Sequence, residues 1–577
     1  GETAEYSRLR AHMNRYTKRN TCDYFIHKDL GGFLRRELDF YIKNEVMHLD
    51  DIEEETVPRV EQYLSKIKVI RKIAGKVIDF LAQLENFQKK LWLKKKVVVE
   101  TSWLIRVGCI PEEFYPEIAA NDTQRKEWAN LLAIDELTGN LTTPGYSVPL
   151  TVEFLKAHPT LVVDSAHLSS SLASRLLGSV SDVDSTTDGV LAHSENSQAI
   201  RLMATRLSRS VASVVTDPPY NTDNREFSYK DSYRHSSWMT MMVERLALLP
   251  SVAAPGAVLF ASIDDNELEG LLAAVREVIG EHRHRVNIVW QKKDTPANDA
   301  LGLSVTHDYV VVVPFDEEFR RGLIPRTDLQ RSNYRNPDND PRGEWTRTAL
   351  MIKRFVPGND YPVTSPTGRP IAPPPGLGWS MSPDRFQALV EDGRVWWGKD
   401  EQGVPFEKTF LAEAQDGVVP VSWWDYRFAG SNRNAKAELR ELFVGEPPFD
   451  TPKPTRLIER ILQVGGGQTI LDLFAGSGTV GHAVVSRNRD DGISRRFVLV
   501  EQADYFRTVL VPRLKKVTFT PEWKDGKPKR LATAEEAERS PRIMKVIRLE
   551  SYEDALNNLD LRRTSAQQSL LDAPAAQ

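Results

Sequence analysis

The sequence predicts an α/β fold: a largely parallel sheet built in two stretches of chain, with an irregular insertion between them. Three observations predict it. From about residue 150, short β-rich runs alternate with helical patterns, which is the texture of a parallel sheet covered by helices. A strand, a glycine-rich turn and a helix follow one another in "TILDLFAGSGTVGHAVV". Between these two stretches, roughly 316–450, the periodicity fades into Pro-, Gly- and Trp-rich segments such as "RPIAPPPGLGW".

The strand candidates are "GVLAHSEN", "ASVVTDPPY", "GAVLFASIDD", "RVNIVWQKK", "HDYVVVVPF" and "RFVLVE". The helical patterns are "SSWMTMMVERLALLPSVA" and "ELEGLLAAVREVI". Ahead of them, residues 1–150 read as an N-terminal helical, coiled-coil-like region. Its long pattern places Val60, Leu64, Ile67, Ile70, Ala74, Val77, Leu81, Leu84 and Leu91 on one face by steps of three and four. An exposed arm, a coiled-coil partner and a core helix all fit that face. Its end, Lys89–Lys96, fits phosphate contact or a solvated helix end equally. The expected organisation is 1–150 helical, 151–315 first sheet segment, 316–450 insert, 451–520 second sheet segment, and 521–577 a charged, partly disordered tail.

At 577 residues the chain is too long for one core. Its 41% hydrophobic and 27% charged residues are ordinary for a globular protein. No apolar run is long enough to cross a membrane, and the opening residues lack a signal-peptide core. The chain starts without Met and reads as processed or trimmed. Cys22 and Cys109 are the two cysteines, too few for a zinc cluster, and they point to a reducing, cytoplasmic setting. No metal site is expected. The net charge of −4 does not by itself advertise nucleic-acid binding.

Two loops carry the chemistry. In "SVVTDPPYNTDN" the strand must stop at Asp217, because Pro218 and Pro219 cannot join a ladder. Tyr220 follows on a stiffened backbone. In the second loop Gly476, Gly478 and Gly481 form G-x-G-x-x-G after an apolar strand, and Glu501 ends the next strand twenty residues past Gly481. That spacing fits a dinucleotide fold. It also fits S-adenosylmethionine, which needs a close-approaching backbone, an acid for its ribose and an aromatic or apolar wall. A dehydrogenase gives the Asp217 loop no role.

Asp217-Pro218-Pro219-Tyr220 together with Phe474-Ala475-Gly476-Ser477-Gly478 resembles the amino-methyltransferases of DNA. The order of the loops resembles their permuted beta class. The match is closer to the modification subunits of type III restriction–modification systems and their stand-alone relatives. Further segments that carry it include "SIDDNE", "NPDNDPRGEWTR", "RFAGSNRNAKAEL" and "TPKPTRLIERIL", over roughly 160–515. The resemblance implies a Rossmann-like S-adenosylmethionine-dependent methyltransferase sheet, interrupted by a target-recognition domain. It implies transfer of a methyl group to N6 of adenine in double-stranded DNA, with the base flipped, in a bacterial restriction–modification or anti-phage defence setting. Cytosine N4 or RNA as acceptor, and a DNA-binding or scaffold subunit of a defence complex, are the alternatives.

The resemblance also distributes roles. Asp217 and the Pro218 carbonyl accept from the base amino group, Pro219 stiffens the loop, and Tyr220 stacks on the base. Phe474, Ala475, Gly476, Ser477, Gly478 and Thr479 face the cofactor, with a side chain at Gly478 expected to intrude on it. Glu501 holds the ribose, and Asp472 is structural or cofactor-facing. Lys453-Pro454 takes the methionine side, and Glu195-Asn196 stands near the cofactor adenine, the Glu departing from the usual Asp. Asp264-Asp265 reads as a strand end and helix cap, His307-Asp308 as structural or near the base pocket. Trp345, Trp379, Trp396, Trp397, Trp423 and Trp424, set among Arg and Lys residues, suit base stacking beside phosphate contacts, and also read, mostly, as core of the insert. Restriction or defence proteins are expected partners. Gln567–Leu571 resembles a motif that docks on the replication sliding clamp.

Overall fold

The computed structural model describes residues 28–46, 57–139, 144–222, 231–284, 286–296, 302–354, 356–445 and 448–558. The tail motif Gln567–Leu571 lies outside the described residues, as does Cys22. The chain divides into two compact units, Gly1–Arg320 with Ser422–Gln577, and Arg321–Val421.

The first unit is organised by one sheet of 11 strands. In chain order they are β1 (Val98–Arg106), β2 (Val162–Asp164), β3 (Thr187–His193), β4 (Val211–Thr216), β5 (Ala253–Ile263), β6 (Val286–Gln291), β7 (His307–Pro314), β8 (Trp423–Trp424), β9 (Thr469–Asp472), β10 (Arg496–Glu501) and β11 (Ile543–Leu549). Across the sheet the order is β8-β6-β7-β5-β4-β9-β10-β3-β11-β1-β2. The central run from β5 to β11 is parallel throughout. Its strands are near-continuous apolar runs because both faces are covered. Val214, Leu259, Leu471 and Val500 are buried in one cluster with Trp238, Leu246 and Leu271 from the helices.

Connectivity reverses between β4 and β9. Chain leaving β4 continues outward to β5, and chain leaving β9 continues to β10 on the other side. The two are paired in parallel, Ser213 opposite Ile470 and Val214 opposite Leu471. Their carboxyl ends therefore open at one edge of the sheet, where α/β folds place their binding crevice.

Three expectations need correction. The region 1–150 is not helical throughout: its long helix runs Val57–Leu93, but β1 then joins the main sheet, antiparallel to β11 and β2. The β-branched run "VVVE" and the apolar "WLI" favour a strand, which the surrounding lysines obscured. Nor is 521–577 simply a tail. β11 pairs in parallel with β3, and its charged Lys545 and Arg548 are half-buried while Ile543, Met544, Ile547 and Leu549 are buried. Finally, the span 422–450 belongs to the first unit: β8 pairs with β6, and Trp424 is buried there while Trp423 is 56% exposed. On the long helix the expected face is largely open, since Leu64, Val77, Leu81 and Leu84 are exposed, whereas Ile78 and Leu91 are buried.

The second unit is built on a three-stranded antiparallel sheet, Val395–Trp396, Phe406–Phe410 and Trp345–Ala349. Trp379, Phe386 and Trp397 form its aromatic core with Leu350 and Val363. Lys408 is buried there against Asp338 and Asp340.

His158, which ends the short helix Val152–Ala157, is 3% exposed, with both ring nitrogens lacking a partner and its ring 4.4 Å from that of Phe154. Burial pushes its pKa down to about 4. Between that value and the ordinary 6.5 the unfolded chain binds the extra proton, so stability falls as pH falls through this window. His158→Phe should lose about 2–3 kcal/mol less than the native chain between pH 7 and pH 4.5 in urea melts; equal losses would show that the imidazole does not titrate on unfolding.

Candidate active site

The crevice at the β4/β9 edge is a cavity of about 1450 Å³. That exceeds the usual range for one small ligand, roughly 300–1,000 Å³. It has room for a nucleoside-sized group and a second guest. Asp217, Pro218, Pro219 and Tyr220 line one part; Asp472, Phe474, Ala475, Gly476, Ser477, Thr479 and Glu501 line another. Glu195, Asn196 and Lys453 line it too. Of the residues to which the resemblance gives a catalytic or cofactor role, Gly478 and Pro454 are not in the wall, nor are Gly481, Asp265 and His307.

The loop after β4 is held from several sides. Trp238, fully buried on the helix His235–Leu246, donates its indole N–H to the Pro219 carbonyl at 2.7 Å. Asn221 sits at φ 61°, where its side chain donates to Glu267 and accepts from the Tyr233 N–H. Asp231, 3% exposed, accepts the backbone N–H groups of Asn221 and Thr222. A proline pair bracketed by such fixed contacts cannot drift, so the Asp217 carboxylate is preorganised. Asp217 Oδ1 and the Tyr220 hydroxyl are both buried, and neither makes a well-formed hydrogen bond. Burial, and then the charge of Asp217, keep the Tyr220 hydroxyl protonated well above the usual range.

The glycine loop is fixed by Glu501 at the end of β10. Its Oε2 accepts the Gly476 N–H at 2.9 Å, and its Oε1 accepts those of Gln502 and Ala503. Burial nevertheless raises its pKa, and burial pushes the carboxyl of Asp472 well up. Beneath the loop lies Arg513, fully buried, donating to the hydroxyls of Ser477 and Thr479 at 2.9 Å each and to Thr455 at 3.3 Å. Burial lowers its pKa to about 10, so it stays charged at neutral pH.

This chemistry separates the two ligand classes that the spacing left open. A pyrophosphate is favoured by backbone N–H groups left free at a helix N-terminus and is repelled by carboxylates set against the same loop. Here the Gly476 N–H is already given to Glu501, and Asp472 and Glu501 line the same wall. The donor set fits a cationic, phosphate-free nucleoside, as S-adenosylmethionine is.

Glu195 caps the helix Asn196–Met203 and pairs with Arg245, while Asn196 donates to the Leu473 carbonyl and accepts from Arg245 at 2.6 Å. The departure from Asp to Glu is thus matched by an arginine that the sequence did not single out. Asp308 lines the cavity, paired with Lys292 at 2.5 Å, and burial raises it to about 6. His307 instead contacts Tyr309, whose hydroxyl donates to Asp265. Asp264 also lines the cavity; it accepts the Asn266 N–H in a turn, and the next helix starts later, at Leu268. One group among the described residues, Glu127, Asp164 and His167, has metal-like spacing, but the Lys515 ammonium bridges both of its carboxylates.

Sequence reasoning missed Trp92. It comes from the long helix Val57–Leu93 and lines the cavity beside Glu195, tied there by Gln198 donating to its carbonyl at 2.8 Å. An aromatic near a helix end gives no signal of this kind.

Gly478 also differs from expectation. It sits at φ 81°, and a Cβ there would lie 3.2 Å from Leu510, facing the protein and not the cavity. Gly478→Val should therefore cost about 2–3 kcal/mol of stability in urea melts, through backbone strain and crowding; an unchanged melt with weakened ligand binding would contradict this placement.

The comparisons fit this geometry. Residues 211–510, just over half of the chain, match the family model described as DNA methylase, for N6 and N4 methyltransferases. The chain is 29% identical over 345 residues to the Mod subunit of the type III restriction-modification enzyme StyLTI of Salmonella typhimurium, covering 54% of this chain and 52% of that one. It is 23% identical over 385 residues to the EcoP15I Mod subunit of Escherichia coli, covering 54% and 58%. With the type II methyltransferase M.KpnI of Klebsiella pneumoniae it shares 26% over 356 residues, 56% of this chain and 83% of the relative. The chain thus spans little more than half the length of these type III relatives. With β4, the Asp217 loop, the glycine loop and β10 all inside the matched segment, the chain belongs to the N6/N4 DNA methylase family.

Proposed function

We propose that the chain transfers a methyl group from S-adenosylmethionine to an exocyclic amino group of a DNA base, N6 of adenine, as the modification subunit of a restriction–modification enzyme. One observation carries the reading: a carboxylate on a rigid Pro-Pro-Tyr loop shares a cavity with a glycine loop whose N–H is held by an acid. The adenine assignment is supported by Asp217 and by the names of the type III Mod relatives; cytosine N4 is the second reading, because the family model spans both.

The cofactor, when bound, supplies an electrophilic methyl group on a sulfonium. Glu501, Asp472, Phe474, Gly476, Ser477 and Thr479 would hold it, with Asn196 and Trp92 in the same cavity wall. The target nitrogen is a weak nucleophile because its lone pair is delocalised into the ring. The Asp217 carboxylate and the Pro218 carbonyl accept its N–H groups and favour the pyramidal, attacking form. Tyr220 receives the extruded base on its ring face. No covalent enzyme intermediate is needed, and most of the acceleration is positioning. The unit Arg321–Val421 is proposed to read the target sequence and to contact phosphate.

Mass spectrometry of nucleosides from DNA treated with the full chain tests the reading: N6-methyladenine is expected, and N4-methylcytosine or no methylated base would replace it. Asp217→Ala should lower methyl transfer at least a thousandfold and leave S-adenosylhomocysteine affinity within twofold; a matching loss of affinity would move Asp217 to the cofactor side. Exchanging Arg321–Val421 for the corresponding unit of a relative should change the methylated sequence, read by modified-base sequencing. Retention of the original sequence would place recognition elsewhere.

A further inference from the structure

Lys453 does not behave as a residue of the cofactor side. Its backbone carbonyl leans on the glycine loop, accepting from Thr479 at 3.4 Å. Its side chain, 11% exposed, turns the other way. The ammonium lies 2.6 Å from Asp217 Oδ2 and 4.8 Å from the centroid of the Tyr220 ring. Tyr220 packs against the main core, so a guest can reach it only from the cavity.

A nitrogen that donates to Asp217 and a group set over Tyr220 are the two features that a stacked base with an exocyclic amine would present. Lys453 supplies both at once, as a hydrogen-bonded ion pair and a cation–π contact. The ring cannot be stacked by a base while the ammonium stands over it. Asp308 and Asp472 line the same cavity, so a displaced ammonium meets other carboxyl groups within it.

We propose that Lys453 is a placeholder for the target amine: it keeps Asp217 and Tyr220 in their working positions in the free enzyme and is exchanged for the extruded base. The proposal rests on the methyl-transfer reading above. Lys453 is then a positioning residue of the base site, and base capture is a competition. A base lacking either the amine or the flat ring face cannot displace the lysine fully. Removing the ammonium should ease capture while loosening the loop that performs the chemistry.

The test uses the full chain with Lys453→Met and Lys453→Gln. Unmethylated duplex DNA of random sequence is first treated with the native protein, and its methylated sites are mapped. If no site is methylated, the methyl-transfer reading itself falls. With a site in hand, a duplex carrying a fluorescent base analogue at the target position reports extrusion. Both variants should bind that duplex three- to tenfold more tightly with greater fluorescence. They should also lower KM for DNA and kcat together, and keep S-adenosylhomocysteine affinity within twofold. Unchanged extrusion in a protein that methylates DNA would overturn the proposal. So would a tenfold loss of S-adenosylhomocysteine affinity, which returns Lys453 to the cofactor side, or loss of fold in both variants, which makes the ion pair structural.

Discussion

The parallel pairing of β4 with β9 is the constraint on which the site depends. Neither loop has a function alone. Asp217 is a carboxylate at a strand end and the glycine turn is a strand–helix junction, and each has many precedents without chemistry. The register that sets Ser213 opposite Ile470 and Val214 opposite Leu471 brings both turns to one crevice. A slip of one residue would turn every side chain of β9 to the other face and move Asp472 out of the cavity wall. Gly465 and Gly467 help to exclude such a slip, since a Cβ on either would meet Ser213 or Ala212 within 3 Å.

Around that pair the charges divide the work. Buried arginines act as internal fasteners: Arg513 under the glycine loop and Arg245 beneath Glu195 and Asn196 each satisfy several acceptors at once. A guanidinium suits this because its donors form a planar fork that stays charged even when desolvated. The carboxylates, by contrast, face the cavity. Arg245, Lys292 and Lys453 line the cavity as well, but acidic side chains outnumber basic ones in its wall, which suits a cationic ligand better than an anionic one.

Much of this was legible in the sequence, for a physical reason. Proline and glycine act locally, so the ends of β4 and β9 and the turn chemistry after them can be read from a few residues. The strands of the parallel core were also legible, because burial on both faces makes them apolar runs. The strands β1 and β11 were not, because they mix charged with apolar residues and pair with each other across most of the length of the chain. Arg513 lies in "VPRLKKVTF", whose three basic residues carry no local sign of burial, yet Arg513, Lys515 and Lys516 are all buried. Trp238 and Trp92 carry no local sign of what their carbonyl and indole contacts hold in place. The lysine of "TPKP" was recognised as belonging to the site, but only the three-dimensional contacts put it beside Asp217.

The antiparallel pairing of β1 with β11 joins residues near 100 to residues near 545, and β11 in turn carries the parallel contact to β3. Such a closure has a kinetic meaning. Pairings between strands so far apart in sequence form late, because the loop entropy must be overcome before the contact rewards it. On the ribosome, β3, β4 and β5 emerge long before β11 exists to cover the exposed side of β3. Until residue 549 has been made, that half of the sheet has an open edge, so the nascent chain depends on its neighbours or on chaperones to keep the edge from pairing elsewhere.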